Sequence, residues 1–179
     1  WHQAMFALHE GRYGRALEIF DRDIIGASNP RSTMTDGTAL LWRIRLDRAH
    51  ERPLPWRALA DIAGRVSRPG YLFGEAHAAL AYAACGDEAG MTRLRDGLRT
   101  LDGKGHPFAG RVVLPLVEGA GAFAASDFAG ALRHFEPVEA EMHRVGGSHA
   151  QWEIFEETMI LCYLETGRYD DATRLVSRR

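Results

Sequence analysis

Residues 145–153, VGGSHAQWE, hold the one adjacent serine–histidine pair of the chain, set behind two glycines. Three chemistries suit such a stretch. Ser148 and His149 would be a nucleophile and its base, the N–H groups of a helix mouth would bind an anion, or the residues simply start a helix. With Ser148 as N-cap, Gln151 falls at N3. The two then form a capping box, with the hydroxyl meeting the Gln151 amide and the Gln151 side chain returning to the Ser148 N–H. Val145 and Trp152 fall roughly where a hydrophobic staple would, and Gly146 or Gly147 ends the preceding helix with left-handed backbone. The nucleophile reading asks for more. Side chains at N-cap and N1 diverge, no carboxylate after His149 has an evident orienting role, and a nucleophile elbow needs a strand before the turn. We read Ser148 and Gln151 as a structural cap and assign no catalytic residue. Anion binding and Ser–His chemistry are the alternatives.

Metal and phosphate chemistry find less support. The eight histidines, at 2, 9, 50, 77, 106, 134, 143 and 149, include no His-x-x-x-His pair of the kind that holds zinc on a helix face. Glu139, Glu141 and His143 lie two apart, and such residues do not share a helical face. LDGKGHP at 101–107 lacks the strand and the Ser or Thr of a phosphate loop, and reads as an inter-helix loop with Pro107 opening the next helix. No metal and no cofactor are expected. His77, in FGEAHAALAYAA, has two readings: a buried or half-buried histidine bonded to a neighbouring turn, or a groove residue beside Arg43, Arg111 and Trp152. Together with His149, these four make the candidate partner-binding set.

The elements that must position these residues are all helical. Apolar residues recur at three and four throughout, no strand alternation appears, and Gly and Pro punctuate the chain at short intervals. About ten helices covering about two thirds of the chain are expected, well above the usual third. Pro115 and Pro137 each deprive a carbonyl, of Arg111 and Arg133, of its helical partner and kink the helix, unless a new helix starts at Pro137.

The helices repeat. GRYGRALEIF at 11–20 returns as SDFAGALRHF at 126–135 and GRYDDATRLV at 167–176, with a weaker GDEAGMTRLR at 86–95. The strong copies share a small turn residue, an aromatic two on (Tyr13, Phe128, Tyr169) and an alanine three beyond that (Ala16, Ala131, Ala172). Their starts step by 75, 40 and 41, so that 75 is two repeats and ERPLPWRALADI, at 51–62, is the degenerate middle one. A helical hairpin cannot bury its apolar face alone, so each pair stacks on the next. The pattern predicts an all-α fold: a right-handed α-solenoid of about five tetratricopeptide-like hairpins, one domain over 1–179, with a concave groove.

WHQAMFALHEGRYGRALEIFDRDI, ALLWRIRLD, FGEAHAALAY, VVLPLVEGAGAFAASDFAGAL and GGSHAQWEIFEETMI, in that order, resemble the C-terminal part of the tetratricopeptide repeat protein 38 family. The likeness spans essentially the whole chain, and its most specific piece is Gly-Gly-Ser-x-Ala-Gln. It implies an all-helical repeat protein with further repeats upstream and a binding role. The chain departs from that pattern at Trp152, where the family tends to have arginine, so the charged contact is not carried over.

Composition narrows the partners. The formal net charge of −2 argues against a nucleic-acid or membrane surface, and no apolar run reaches the roughly 18 residues of a membrane span. Lys104 is the lone lysine, the mark of a GC-rich bacterial genome. Cys85 and Cys162, in separate apolar stretches, read as reduced thiols of a cytoplasmic protein. The charge run RLDRAHER at 45–52 reads as a solvated helix end. The chain opens at Trp1 inside a helical pattern, as a fragment of a longer repeat protein would. A scaffold that binds a protein or peptide is the leading expectation. The alternatives are the ligand-shaping half of an enzyme whose active part lies upstream, and a homo-oligomer formed through the open side of YDDATRLVSRR (Ala172, Leu175, Val176).

Overall fold

The computed structural model describes residues 1–47 and 52–178. Ten α-helices follow one another among them: α1 (His2–His9), α2 (Tyr13–Ile19), α3 (Pro30–Asp47), α4 (Trp56–Val66), α5 (Leu72–Cys85), α6 (Glu88–Gly103), α7 (Leu114–Ala124), α8 (Phe128–Phe135), α9 (His149–Glu165) and α10 (Tyr169–Val176). Two π-helical turns, Phe20–Ile24 and Ala109–Val113, extend α2 and lead into α7, and a 3-10 helix, Glu136–Val145, continues α8. No strand occurs among the described residues.

The repeated sequence makes a repeated turn. Gly11, Gly86, Ser126 and Gly167, the first residues of the four echoes, all have left-handed backbone, with φ of 70°, 70°, 61° and 73°. The N–H of the next residue reaches back five positions in each case: Arg12 to Ala7 at 2.8 Å, Asp87 to Tyr82 at 2.9 Å, Asp127 to Ala122 at 2.9 Å and Arg168 to Tyr163 at 2.8 Å. These bonds satisfy a terminal carbonyl of the first helix while the chain turns into the second. Asp87 and Asp127 then cap the second helix by accepting from Gly90 and Gly130 N–H, both at 2.8 Å. Ala16, Ala131 and Ala172 are buried, as close helix approach requires. The degenerate middle repeat begins at Glu51, outside the described residues, and its helix α4 starts at Trp56.

Both prolines act as local geometry demands. Pro115 cannot donate to Arg111, and the chain answers with the π-helical turn just before α7, in which Val113 N–H reaches Phe108 O at 3.0 Å, five residues back. At Pro137 the α-helix gives way to the tighter 3-10 helix.

The pairs α1/α2, α3/α4, α5/α6, α7/α8 and α9/α10 pack as hairpins, and α3, α5 and α7 pack in succession. Helix α9 packs on α8 and α10 and also on α3, a contact that strict neighbour-to-neighbour stacking does not make. Its centre is Trp42, fully buried, whose Nε1 donates to Thr158 Oγ1 at 2.8 Å. Thr158 in turn donates to Ile154 O at 2.6 Å. Trp42 also meets Trp56 edge-on at 6.0 Å and Phe123 at 5.3 Å. The residues 48–51 of the charge run lie outside the described residues; Arg45 is half-buried, its guanidinium over the Trp42 and Phe123 rings at 5.5 and 5.9 Å, and Arg52 pairs with Asp21 at 2.9 Å. Cys85 and Cys162 are free thiols, and burial pushes Cys162 up to about 12, which keeps it protonated and unreactive. No helix among the described residues is long and apolar enough to cross a membrane.

Candidate functional site

The Ser-His stretch opens α9 as its spacing requires. Ser148 is the N-cap, with extended backbone, and forms the capping box with Gln151. Ser148 N–H donates to Gln151 Oε1 at 2.9 Å and the hydroxyl donates to the same oxygen at 3.1 Å. Gln151 Nε2 is used as well, donating to Asp36 Oδ1 of α3 at 2.9 Å, so one side chain caps α9 and fastens it to α3. Burial raises the Asp36 carboxyl above its ordinary value, against the pull of that hydrogen bond. Gly146 and Gly147 both have positive φ, 90° and 82°. Gly147 is doubly constrained, because a Cβ there would stand 2.3 Å from the Phe73 ring. His149 turns the other way: its ring meets Trp152 edge-on at 4.5 Å, and its Nδ1 lies 3.8 Å from Glu153 Oε2. Glu153 is thus the carboxylate beside His149 that the spacing alone did not single out.

Arg43 and His77 lie deeper. Arg43 is only 5% exposed. Its Nη2 donates to Ala150 O at 2.6 Å and lies 3.8 Å from Glu153 Oε2, while Nε lies 2.9 Å from Glu157 Oε2. Glu153 and Glu157 are four apart and so present carboxylates side by side on α9; the guanidinium between them is what makes that pairing tolerable. Arg43 is therefore a bridge from α3 to the first turns of α9.

His77 is fully buried, with Nδ1 donating to Phe73 O at 2.8 Å and its ring 4.3 Å from that of Phe73. Its partner is the carbonyl one turn back in its own helix. Burial, aided by the charge of Arg43, lowers the imidazole to about 4. The folded-state value lies below the unfolded one, so this contribution is complete above pH 6.5 and is lost as pH falls toward 4. Between pH 7 and pH 5 it amounts to about 2 kcal/mol. Urea unfolding of the wild type is expected to show that loss, and His77→Gln, which keeps a donor for Phe73, to show a much flatter dependence over the same range. Equal slopes in the two proteins would contradict the assignment.

The five candidate residues thus occupy three places. His77 is inside, and Arg43, largely buried next to the start of α9, also reaches the wall of a larger cleft. His149 and Trp152 line a shallow surface pocket with Glu139, His143 and Arg178. Arg111, exposed on the π-helical turn, pairs with Glu141 and lies over Phe108 at 5.9 Å. Among the described residues no three His, Cys, Asp or Glu side chains are grouped to hold a metal ion.

A larger feature takes in one of the five candidates, Arg43, together with Tyr13 and Val176 of the repeated stretches. The hairpins α1/α2 and α9/α10 flank a cleft of about 540 Å³, within the roughly 300–1,000 Å³ usual for ligand sites. Leu8, Leu46, Ile160, Leu161, Leu164 and Val176 make its apolar lining. Among them sit two polar pairs and His9: Tyr13 donates to Asp47 at 3.1 Å, and Arg43 meets Glu157. Leu164 and Val176 are 45% and 54% exposed, an apolar edge left in water. Leu8 and Leu164 hold the same place in the repeat, three before the turn glycine, and that register was the available signal. No protein-family model matches the chain, and no solved structure matches it significantly.

Proposed function

We propose that the chain is a tetratricopeptide-like helical-repeat module that holds a segment of a partner protein in the cleft between its first and last hairpins. The single observation that carries this reading is the cleft itself. Its lining is apolar, its size admits two or three side chains, and its edge exposes Leu164 and Val176, surface that is costly unless something covers it. Four of its polar groups already pair with one another, Tyr13 with Asp47 and Arg43 with Glu157, and His9 stands beside them in the lining. A ligand that supplies apolar side chains from one face of a helix or strand fits such a lining. The four equivalent turns and the resemblance to the tetratricopeptide repeat protein 38 family support the repeat architecture, with α9 returning to α3 as a local departure from a simple right-handed stack. The free thiols support a reducing, cytoplasmic setting.

The test is selection of peptides from a displayed random library on the wild-type protein. Selected peptides are expected to be rich in apolar residues and to lose affinity at least about tenfold for Leu164→Asp. Tyr169→Asp, outside the cleft, should leave their affinity unchanged. Peptides that bind wild type and Leu164→Asp equally would overturn the reading.

A further inference from the structure

Among the described residues three arginines are withdrawn from water, Arg43, Arg45 and Arg95. Arg43 meets Glu153 and Glu157, and Arg95 meets Glu118 at 2.9 Å. Arg45 meets no carboxylate and no carbonyl among the described residues. Its guanidinium has only the rings of Trp42 and Phe123, at 5.5 and 5.9 Å. Rings attract a cation but offer no lone pair to its N–H donors. Burial lowers Arg45 below its ordinary value, as it must for a charge taken partly out of water.

Arg45 lines a pocket of about 460 Å³, a size usual for small-ligand sites, together with Phe123, Ser126, Phe128, Leu161 and Glu165. Phe123 and Phe128 meet edge-on at 5.8 Å and, with Leu161, form its apolar wall. Ser126 brings a second donor at a conformational cost. It is the turn residue between α7 and α8, a place held by glycine at Gly11, Gly86 and Gly167. Among the described residues it alone has a positive φ, 61°, without being glycine. Left-handed backbone is strained for a residue with a Cβ. The Ser126 hydroxyl has no hydrogen-bond partner among the described residues, so nothing in the chain offsets that strain.

We infer that this pocket binds a carboxylate carried on an apolar body. Arg45 and Ser126 donate to the carboxylate oxygens, and Phe123, Phe128 and Leu161 hold the body. The planar guanidinium suits two carboxylate oxygens at once, and the bonds are charge-assisted. Glu165, exposed in the same lining, disfavours a doubly charged anion. The inference does not rest on partner binding in the cleft, since Leu161 alone of these residues also lines the cleft. A free acid and an acidic side chain of a bound peptide present the same group.

Hexanoate, titrated into the chain and followed by NMR at the Leu161 methyls and the Arg45 Nε–H, probes the free acid. Saturation is expected with a dissociation constant of about 1–10 mM, ordinary for so small a ligand. Hexanamide, which has the body without the charge, and sulfate, which has charge without the body, should each bind at least about tenfold more weakly. Arg45→Gln should lose hexanoate by at least about tenfold. That change also removes a contact with Trp42, so Ser126→Gly is the second variant. It relieves the turn and should raise the urea midpoint, yet weaken hexanoate about fivefold. Peptides selected on the wild type probe the other source. An essential aspartate or glutamate in them, with affinity lost in Arg45→Gln, puts the acid on a partner chain; hexanoate binding with peptides indifferent to Arg45→Gln puts it on a small molecule. The inference is overturned if hexanoate fails to bind up to about 50 mM and no selected peptide responds to Arg45→Gln. It is overturned equally if hexanamide or sulfate binds as well as hexanoate, or if Ser126→Gly leaves hexanoate binding unchanged.

Discussion

Arg43→Ala is expected to lower the unfolding free energy by roughly 3–5 kcal/mol at pH 7, the cost of removing one partner from a buried ionic group. The guanidinium is 5% exposed and lies between two α9 carboxylates while donating to the Ala150 carbonyl. Truncation takes the cation away and leaves Glu153 and Glu157 side by side at low exposure. Arg43→Lys should recover only part of the loss, because an ammonium cannot reach two carboxylates and a carbonyl with a planar fork. Replacing all three, Arg43→Met with Glu153→Gln and Glu157→Gln, should be much milder than Arg43→Ala, since no charge is then stranded. Urea midpoints read the series. A loss below about 1 kcal/mol for Arg43→Ala would mean that the cluster is solvated like an ordinary surface pair.

Trp42→Ala should cost a comparable 3–5 kcal/mol, by removing the largest fully buried side chain at the α3–α9 crossing. Trp42→Phe separates packing from hydrogen bonding. It keeps a ring near Trp56 and Phe123 but loses the indole donor to Thr158, and should cost about 1 kcal/mol beyond its smaller volume. If Trp42→Phe proved as damaging as Trp42→Ala, the hydrogen bond and not the packing would hold α9 to α3.

The hairpin turns were legible in the sequence because their cause is local. A left-handed residue, an aromatic two on and a buried alanine leave a signature within six residues, and even the non-glycine turn at Ser126 follows it. The Ser148–Gln151 cap was legible for the same reason. The return of α9 to α3 was not. Trp42 and Thr158 are 116 residues apart, and each reads locally as an ordinary helical residue. Arg43 read as a groove residue and does line the cleft, but its pairing with Glu153 and Glu157 of α9 was not read. The available hint was Glu153 and Glu157, two like charges one helical turn apart, which are unfavourable unless a cation lies between them. The cleft was hidden because its walls come from α1, α2, α3, α9 and α10, far apart in sequence, although Arg43, Tyr13 and Val176 had each been singled out separately.

Methyl NMR of the chain, titrated with a peptide selected on the wild type, tests the proposed binding role most directly. The account predicts shifts concentrated on Leu8, Leu46, Ile160, Leu161, Leu164 and Val176, with the methyls of Val145 and Ile62, outside the cleft's lining, unmoved. Shifts centred instead around the Trp152 pocket or the Arg111 turn, with the cleft methyls silent, would contradict it.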